Sequence, residues 1–289
     1  MLVVAIITGI GLGSMYGLIA LGFQITYSVS STVNFAQGSV VMLGAVLGFI
    51  FCQRWGLPVI VGYPLAILCC GLFGVLVELV LVRPFVMRGS EAWLMATVAG
   101  GIFLDNAALF TFGNEPRSLS SPLTGTTWNI LGTGVYPQQV LIPFAAIGVA
   151  VLLHLLFRHT RQGRALLAVV QNRQAARLMG INTNLMVSGS FAISSMLAGF
   201  AGLLIAPLFS VHSDMGTLFG LKAFAVAILG GMTSASGVMI AGFLYGLVEA
   251  FVTTYLGSSF TYIAVFALVI VVLTIKPGGL FGRPGLKKV

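Results

Sequence analysis

Long runs of uncharged, apolar residues recur along almost the whole chain, and this pattern restricts the possible folds more than any other feature. Hydrophobic residues make up 58% of the sequence and charged residues only 7%, whereas a soluble domain carries about 25% charged residues. The runs are long enough to cross a hydrocarbon layer about 30 Å thick. They lack the alternation of polar and apolar residues that membrane barrel strands show. The sequence therefore predicts an all-α, polytopic transmembrane helical bundle.

Nine apolar runs are candidates for spanning helices. They lie near residues 3–27, 38–52, 58–82, 92–113, 138–157, 186–209, 218–233, 237–257 and 260–275. We expect about eight to ten spans in a single transmembrane domain over residues 1–289, some of them broken or re-entrant. The polar stretches Ser28–Ser39 and Gly230–Gly237 interrupt the runs. Irregular backbone at membrane depth must be buried in protein or line a wet cavity, so these breaks point to a path through the protein.

Positive charge is concentrated in one loop, residues 158–185, where Arg158–Asn184 holds five arginines and no acidic residue. Short loops rich in Lys and Arg mark the cytoplasmic side of a membrane protein. An odd number of spans then places the N-terminus and the loop 114–139 outside and the C-terminus inside. The net charge of +8 reflects this topology, and no nucleic-acid partner is expected. Other basic residues follow the same distribution: Arg83, Arg88, Lys276, Arg283, Lys287 and Lys288.

The arginine-rich loop also has a helical pattern. Leu166, Val169 and Val170 form an apolar stripe, Arg173 and Arg177 lie four residues apart, and Gly180 can end a helix in a left-handed conformation. The pattern predicts one short amphipathic helix parallel to the membrane. Such a helix suits docking into another protein. The alternative is a loop that only obeys the positive-inside distribution and touches anionic lipid.

Four acidic or basic residues fall within predicted spans, where charge is costly. Asp105, Lys222 and Glu249 could share one layer and line a substrate path, or Lys222 could neutralise an acid in a structural cluster. Glu78 lies close to Arg83, and extension of its side chain toward the interface explains it.

Sequence patterns of enzymes are missing from the chain. It has no nucleotide-binding glycine-rich loop, zinc signature or Gly-x-Ser-x-Gly elbow. His154, His159 and His212 lie far apart in the predicted topology, and the cysteines lie within apolar runs. We therefore predict no catalytic residue, no metal site and no intramembrane enzyme. A membrane anchor without a path is the other alternative, but an anchor does not require irregular backbone at membrane depth.

Several motifs together resemble one family over essentially the whole length: the LivH-type permease subunits of high-affinity branched-chain amino acid ABC importers. The motifs that carry the resemblance are Gly13–Gly22 (GSMYGLIALG), Asn34–Gly38 (NFAQG), Arg83-Pro84, the loop Arg161–Asn182, Lys222-Ala223-Phe224, Gly230-Gly231 and Pro277–Gly282 (PGGLFG).

The resemblance implies a multi-pass subunit of the bacterial inner membrane that imports branched-chain or other hydrophobic amino acids. Its expected partners are a second, LivM-like permease, two cytoplasmic ATPases, a periplasmic binding protein, the small-molecule substrate and membrane lipid. No cofactor is expected on this chain, because ATP and Mg would bind to the ATPases. The loop resembles a coupling helix, with Arg161, Gly163, Arg164, Arg173, Ala175, Ala176, Arg177, Gly180 and Ile181 as its coupling residues.

The expected path-lining residues are Tyr16, Gln24, Asn34, Gln37, Asp105, Lys222 and Glu249. The chain departs from the family at Gln37, where relatives commonly carry a histidine, and at Gln171-Asn172, where they often carry acidic residues. The first departure leaves the cargo open. The alternative cargo is urea, a short amide or another small polar solute, carried by the same architecture.

Overall fold

A computed structural model describes residues 2–113, 115–119, 124–125, 127–130 and 133–282. The predicted tail residues Arg283, Lys287 and Lys288 and part of the loop 114–139 lie outside these ranges. The helices are α1 (Leu2–Ser30), α2 (Gln37–Phe49), α3 (Val59–Val77), α4 (Arg83–Met87), α5 (Trp93–Phe112), α6 (Pro137–His159), α7 (Arg161–Gln171), α8 (Arg173–Leu178), α9 (Thr183–Ile205), α10 (Met215–Gly230), α11 (Ala235–Tyr255) and α12 (Thr261–Ile275).

Short irregular helical segments extend several of these helices. A π-helical turn, Ile50–Arg54, continues α2, another, Glu78–Val82, joins α3 to α4, and a 3-10 turn, Ser258–Phe260, precedes α12. Between α5 and α6, strands β1 (Trp128–Ile130) and β2 (Thr133–Val135) pair antiparallel.

Eight helical segments of the described chain are long and apolar enough to cross a membrane. The one remaining predicted span, residues 218–233, corresponds to α10, whose 16 residues extend about 24 Å. Every predicted span is helical, so the prediction of an all-α, polytopic bundle is confirmed.

The predicted breaks are longer than the observed ones, and this part of the prediction is wrong. Helix α1 continues to Ser30, and the chain leaves helical geometry only over residues 31–36 and, at the second break, 231–234. The polar side chains in the last turns of α1 do not end it, because those of Gln24, Thr26 and Ser30 bond within the helix. The Ser28 hydroxyl donates instead to the Met232 carbonyl in the second break. The Ser30 hydroxyl donates to the Thr26 carbonyl at 2.7 Å, which satisfies a polar group without leaving the helix.

Helix α1 forms the centre of the bundle, with α6, α9, α10 and α11 around it. Glycines permit its closest crossing, with α11. A Cβ atom at Gly13 would lie 2.6 Å from the Gly242 carbonyl oxygen. Without a hydrophobic driving force between helices in lipid, such close backbone packing is a main source of association.

Candidate functional site

Lys222 of α10 and Glu249 of α11 form an ion pair inside the bundle. The Lys222 Nζ lies 2.5 Å from Glu249 Oε1, and the two side chains are only 12% and 8% exposed. Nζ also lies 3.4 Å from the Tyr16 hydroxyl and 5.1 Å from the centre of the Tyr262 ring. This geometry agrees with the interpretation that Lys222 neutralises an acid. A role for Tyr16, Lys222 and Glu249 in a path stays a prediction.

Asp105 of α5 does not join this ion pair. Its Oδ2 accepts a hydrogen bond from the Thr217 hydroxyl at 3.3 Å, at the first turn of α10. Lys222 and Glu249 therefore pair with each other, and Asp105 has separate contacts. That the three residues share one layer of a path stays a prediction.

Gln37, at the start of α2, is fully buried and exchanges hydrogen bonds with α9. Its Nε2 donates to the Ser194 carbonyl at 3.0 Å, and its Oε1 accepts from the Ser194 hydroxyl at 3.1 Å. Asn34 is also buried, and its Oδ1 accepts from the Ala36 amide at 3.1 Å. Gln37 therefore connects the start of α2 to α9, whereas the Asn34 bond stays within the break and its Nδ2 is buried without a hydrogen-bond partner among the described residues.

Gln24 of α1 borders open space. Its Nε2 donates to the Ser28 hydroxyl at 2.9 Å. It lines two cavities, of about 350 and 410 Å³, that also include His154 and Phe157 of α6. Of the predicted path residues on α1, Gln24 therefore has the most room beside it.

The arginine-rich loop folds into two helices, α7 and α8, so the prediction of one helix is wrong. The backbone is extended at Asn172, with φ of −155° and ψ of 104°, and the Asn172 side chain accepts from the Ala175 amide. Asparagine is a favoured N-cap because its side chain satisfies an amide that no helical carbonyl reaches. Thr160 caps α7 in the same way through the Gly163 amide.

The predicted end of this segment is confirmed. Gly180 has a φ of +83°, and the Ile181 amide donates to the Ala176 carbonyl at 3.0 Å, as in a Schellman motif. The predicted coupling residues divide by burial: Arg161, Arg164, Arg173, Ala175, Arg177 and Gly180 are exposed, Ile181 is half-buried, and Gly163 and Ala176 are buried.

Two exposed apolar residues were not among the predicted coupling residues. Leu178 is 89% exposed and Met179 is 83% exposed, directly after Arg177 and before Gly180. The sequence signal was an apolar pair on the short turn before the C-terminal glycine. Together with Arg173 and Arg177 they form a surface of mixed basic and apolar character, which we call the α8 surface.

An apolar cluster connects α7 and α8 to the spanning helices. Leu166, Val169 and Ala176 on the inner side of the loop contact a buried group that also contains residues of α1, α3 and α9. The members from these spans are Val29, Val77, Val187 and Phe191. The loop helices and these three spans therefore share one close-packed buried cluster.

Glu78, near the same end of the bundle, is only 2% exposed, so its interpretation as a side chain that extends to the interface is wrong. Its two carboxylate oxygens accept from Arg83 at 3.0 and 2.8 Å, and Oε2 also accepts from the Ser188 hydroxyl at 2.8 Å. The bidentate pair ties the junction of α3 and α4 to α9.

The apolar spans, the buried intramembrane charges and the short polar breaks define a multi-pass helical membrane protein. The family described as "Branched-chain amino acid transport system / permease component" matches residues 5–275, and the chain belongs to this family. It is thus a permease component of a transport system.

Individual relatives agree with the family match. The high-affinity branched-chain amino acid transport system permease protein LivH of Salmonella typhimurium is 33% identical, over 97% of this chain and 96% of the relative. LivH of Escherichia coli K12 is 32% identical over the same shares. BraD of Pseudomonas aeruginosa, a protein of the same description, is 31% identical over 98% of this chain and 97% of the relative.

Proposed function

We propose that this chain is one of two membrane-spanning permease subunits of an ATP-driven importer that carries branched-chain or other hydrophobic amino acids across a bacterial inner membrane. The importer would also contain a second, LivM-like permease, two cytoplasmic ATPases and a periplasmic binding protein. ATP and Mg would bind to the ATPases, and this chain, as a single permease domain, would carry no cofactor. The observation that carries the proposal is the family match along residues 5–275.

The cargo follows from the relatives. LivH of Salmonella typhimurium and BraD are both described as branched-chain amino acid permeases, and their similarity to this chain covers nearly its full length. This supports amino-acid import over the alternative cargo of urea or short amides. Gln37 stands where relatives commonly carry a histidine. Its side chain forms hydrogen bonds with Ser194 inside the protein, so this departure from the family does not argue for another cargo.

The proposed orientation places α7 and α8 in the cytoplasm, with the N-terminus in the periplasm and the C-terminus in the cytoplasm. The positive-inside distribution supports this, because the exposed arginines of the loop lie on one side of the bundle. The β1–β2 strand pair would then lie in the periplasm, on the side from which a binding protein delivers its ligand.

The α8 surface is the proposed contact with an ATPase. Arginine is enriched among the few residues that dominate an interface, and methionine is also enriched at interfaces. Leu178 and Met179 are exposed in a region outside the spans. When the ATPases close on ATP, they would move α8, and the apolar cluster beneath it would pass the motion to α1, α3 and α9. Such a rigid-body change would alternate outward-open and inward-open states.

The test is charge reversal on the α8 surface. The double variant Arg173→Glu/Arg177→Glu is expressed with the other subunits and should insert and elute as a single species. The amount of ATPase that co-purifies with it should fall at least about tenfold, since each such residue can contribute more than 1 kcal/mol to the binding free energy at an interface. Arg88→Glu is the matched control, because Arg88 is also an exposed arginine, in a loop on the same predicted side. Unchanged complex yield and unchanged leucine uptake by the double variant would refute the docking role.

A further inference from the structure

A cavity of about 160 Å³ lies between α2, α5 and α10. Its walls include three phenylalanine rings, Phe23, Phe35 and Phe224, and its polar groups include Asp105 of α5 and Thr217 of α10. An apolar cavity of about 150 Å³ can hold benzene in another protein, so this cavity is large enough for a branched aliphatic group.

The Asp105 carboxylate has unused capacity to accept hydrogen bonds. Oδ2 accepts from the Thr217 hydroxyl, and the Ser39 hydroxyl of α2 is a second neutral neighbour of the carboxylate. No described residue lies within hydrogen-bond geometry of Oδ1, which is buried. Among those residues no lysine, arginine or histidine nitrogen lies within ion-pair distance of it. Glu78 and Glu249, the other acids within spans, are each paired with a basic side chain. A carboxylate at membrane depth without a cationic partner is costly and is typical of a functional position.

The phenylalanines form a continuous aromatic wall. The ring centres of Phe23 and Phe224 lie 5.5 Å apart, and those of Phe35 and Phe224 lie 5.2 Å apart. Aromatic faces attract cations and also pack against aliphatic groups. A carboxylate beside such a wall therefore suits a ligand that combines an ammonium group with a short apolar chain.

We propose that this cavity is a transit site for the transported amino acid, in which the Asp105 carboxylate accepts from the α-ammonium group and the aliphatic side chain lies against the three phenylalanine rings. The inference rests on the proposed function and deepens it, since it assigns the ammonium group as the feature that the permease itself recognises. Only one charged contact is offered, so binding is weak, as release into the cytoplasm requires. Aliphatic amines should bind, and aliphatic carboxylates should not.

The cavity opens beside two exposed residues, Ile102 of α5 and Leu221 of α10, and this rim provides a place for a reporter. In the complete importer in lipid nanodiscs, Ile102→Cys would be introduced after replacement of Cys52, Cys69 and Cys70 by alanine. The rate of maleimide labelling is then measured with L-leucine, with 3-methylbutylamine and with 4-methylpentanoate. Leucine and the amine should slow labelling at millimolar concentration, whereas the carboxylate should not.

Asp105→Asn removes the charge at constant size and should raise the leucine concentration for half-protection at least about tenfold, as expected for loss of a charged hydrogen bond. Asp105→Glu keeps the charge and should preserve the preference for the amine. Asn106→Leu is the matched control, because Asn106 is the next polar residue of α5 and is exposed; it should leave protection unchanged. If Asp105→Asn fails to assemble, the parent and Asp105→Glu still test the site, because protection by 3-methylbutylamine can be compared with protection by 4-methylpentanoate in both.

Equal protection by the amine and the carboxylate, or unchanged protection in Asp105→Asn, would overturn the site. Leucine uptake by the parent importer in proteoliposomes, measured in parallel, separates this failure from failure of the proposed function. Normal leucine uptake without protection refutes the transit site alone. Absence of leucine uptake in the complete parent importer refutes the amino-acid cargo.

Discussion

Replacement of Glu249 by glutamine should destabilise the protein by about 3 kcal/mol, because it leaves the Lys222 ammonium buried without a charged partner. Removal of one member of a buried ion pair costs about 3–5 kcal/mol, and insertion of a lysine at the centre of a membrane helix costs about 2.5–3.5 kcal/mol. Lys222 remains 12% exposed and keeps its contact with the Tyr262 ring, which favours the lower part of the first range. The two estimates then agree.

The free energy of unfolding can be measured for the purified chain by SDS titration in mixed micelles, followed by circular dichroism. The double variant Lys222→Met/Glu249→Gln removes both charges and should recover most of the loss, since an apolar replacement of a buried pair is often neutral. Glu91→Gln makes the same chemical change at an exposed residue and should change stability by less than about 0.5 kcal/mol. A double variant as unstable as Glu249→Gln would refute the ion-pair explanation.

Two further predictions use the same unfolding measurement. Gly13→Ala places a methyl group 2.6 Å from the Gly242 carbonyl oxygen and should lower the free energy of unfolding by about 1–3 kcal/mol. Gly148→Ala is the control, because Gly148 has open space around it, and it should not destabilise the protein. Equal effects of the two variants would contradict the tight α1–α11 crossing. Arg83→Met leaves the Glu78 carboxylate with only the Ser188 hydroxyl and should lower the free energy of unfolding by about 3 kcal/mol. The double variant Glu78→Leu/Arg83→Met should recover this stability in full. A further loss of stability in the double variant would contradict the buried pair.

The spans could be predicted because their signal is a property of the residues alone: an uncharged apolar run in lipid must form its hydrogen bonds internally. The extent of the breaks could not be predicted from the sequence, because a polar residue such as Ser30 can either end the helix or bond back to it, as Ser30 does to the Thr26 carbonyl. The division between α7 and α8 had a local signal at Asn172, an asparagine that can cap a helix. The helical spacing of Arg173 and Arg177 beyond it was instead interpreted as a continuation of the same helix.

The arrangement of the site depended on tertiary contacts. Lys222 and Glu249 are 27 residues apart, and no pattern along the chain shows that they pair while Asp105 does not. The position of Glu78 illustrates the same limit: its neighbour Arg83 was visible in the sequence, but Ser188, which completes its surroundings, comes from a span about 110 residues away.

The most direct test of the proposed function is purification of the tagged chain from native membranes in mild detergent, with mass spectrometry of the recovered proteins and of any ligand on a recovered binding protein. The proposal predicts two ATPase subunits, a second permease, and a binding protein loaded with a branched-chain or other hydrophobic amino acid. Recovery of the chain alone or as a homo-oligomer, under conditions that preserve other ATP-driven importers, would contradict it.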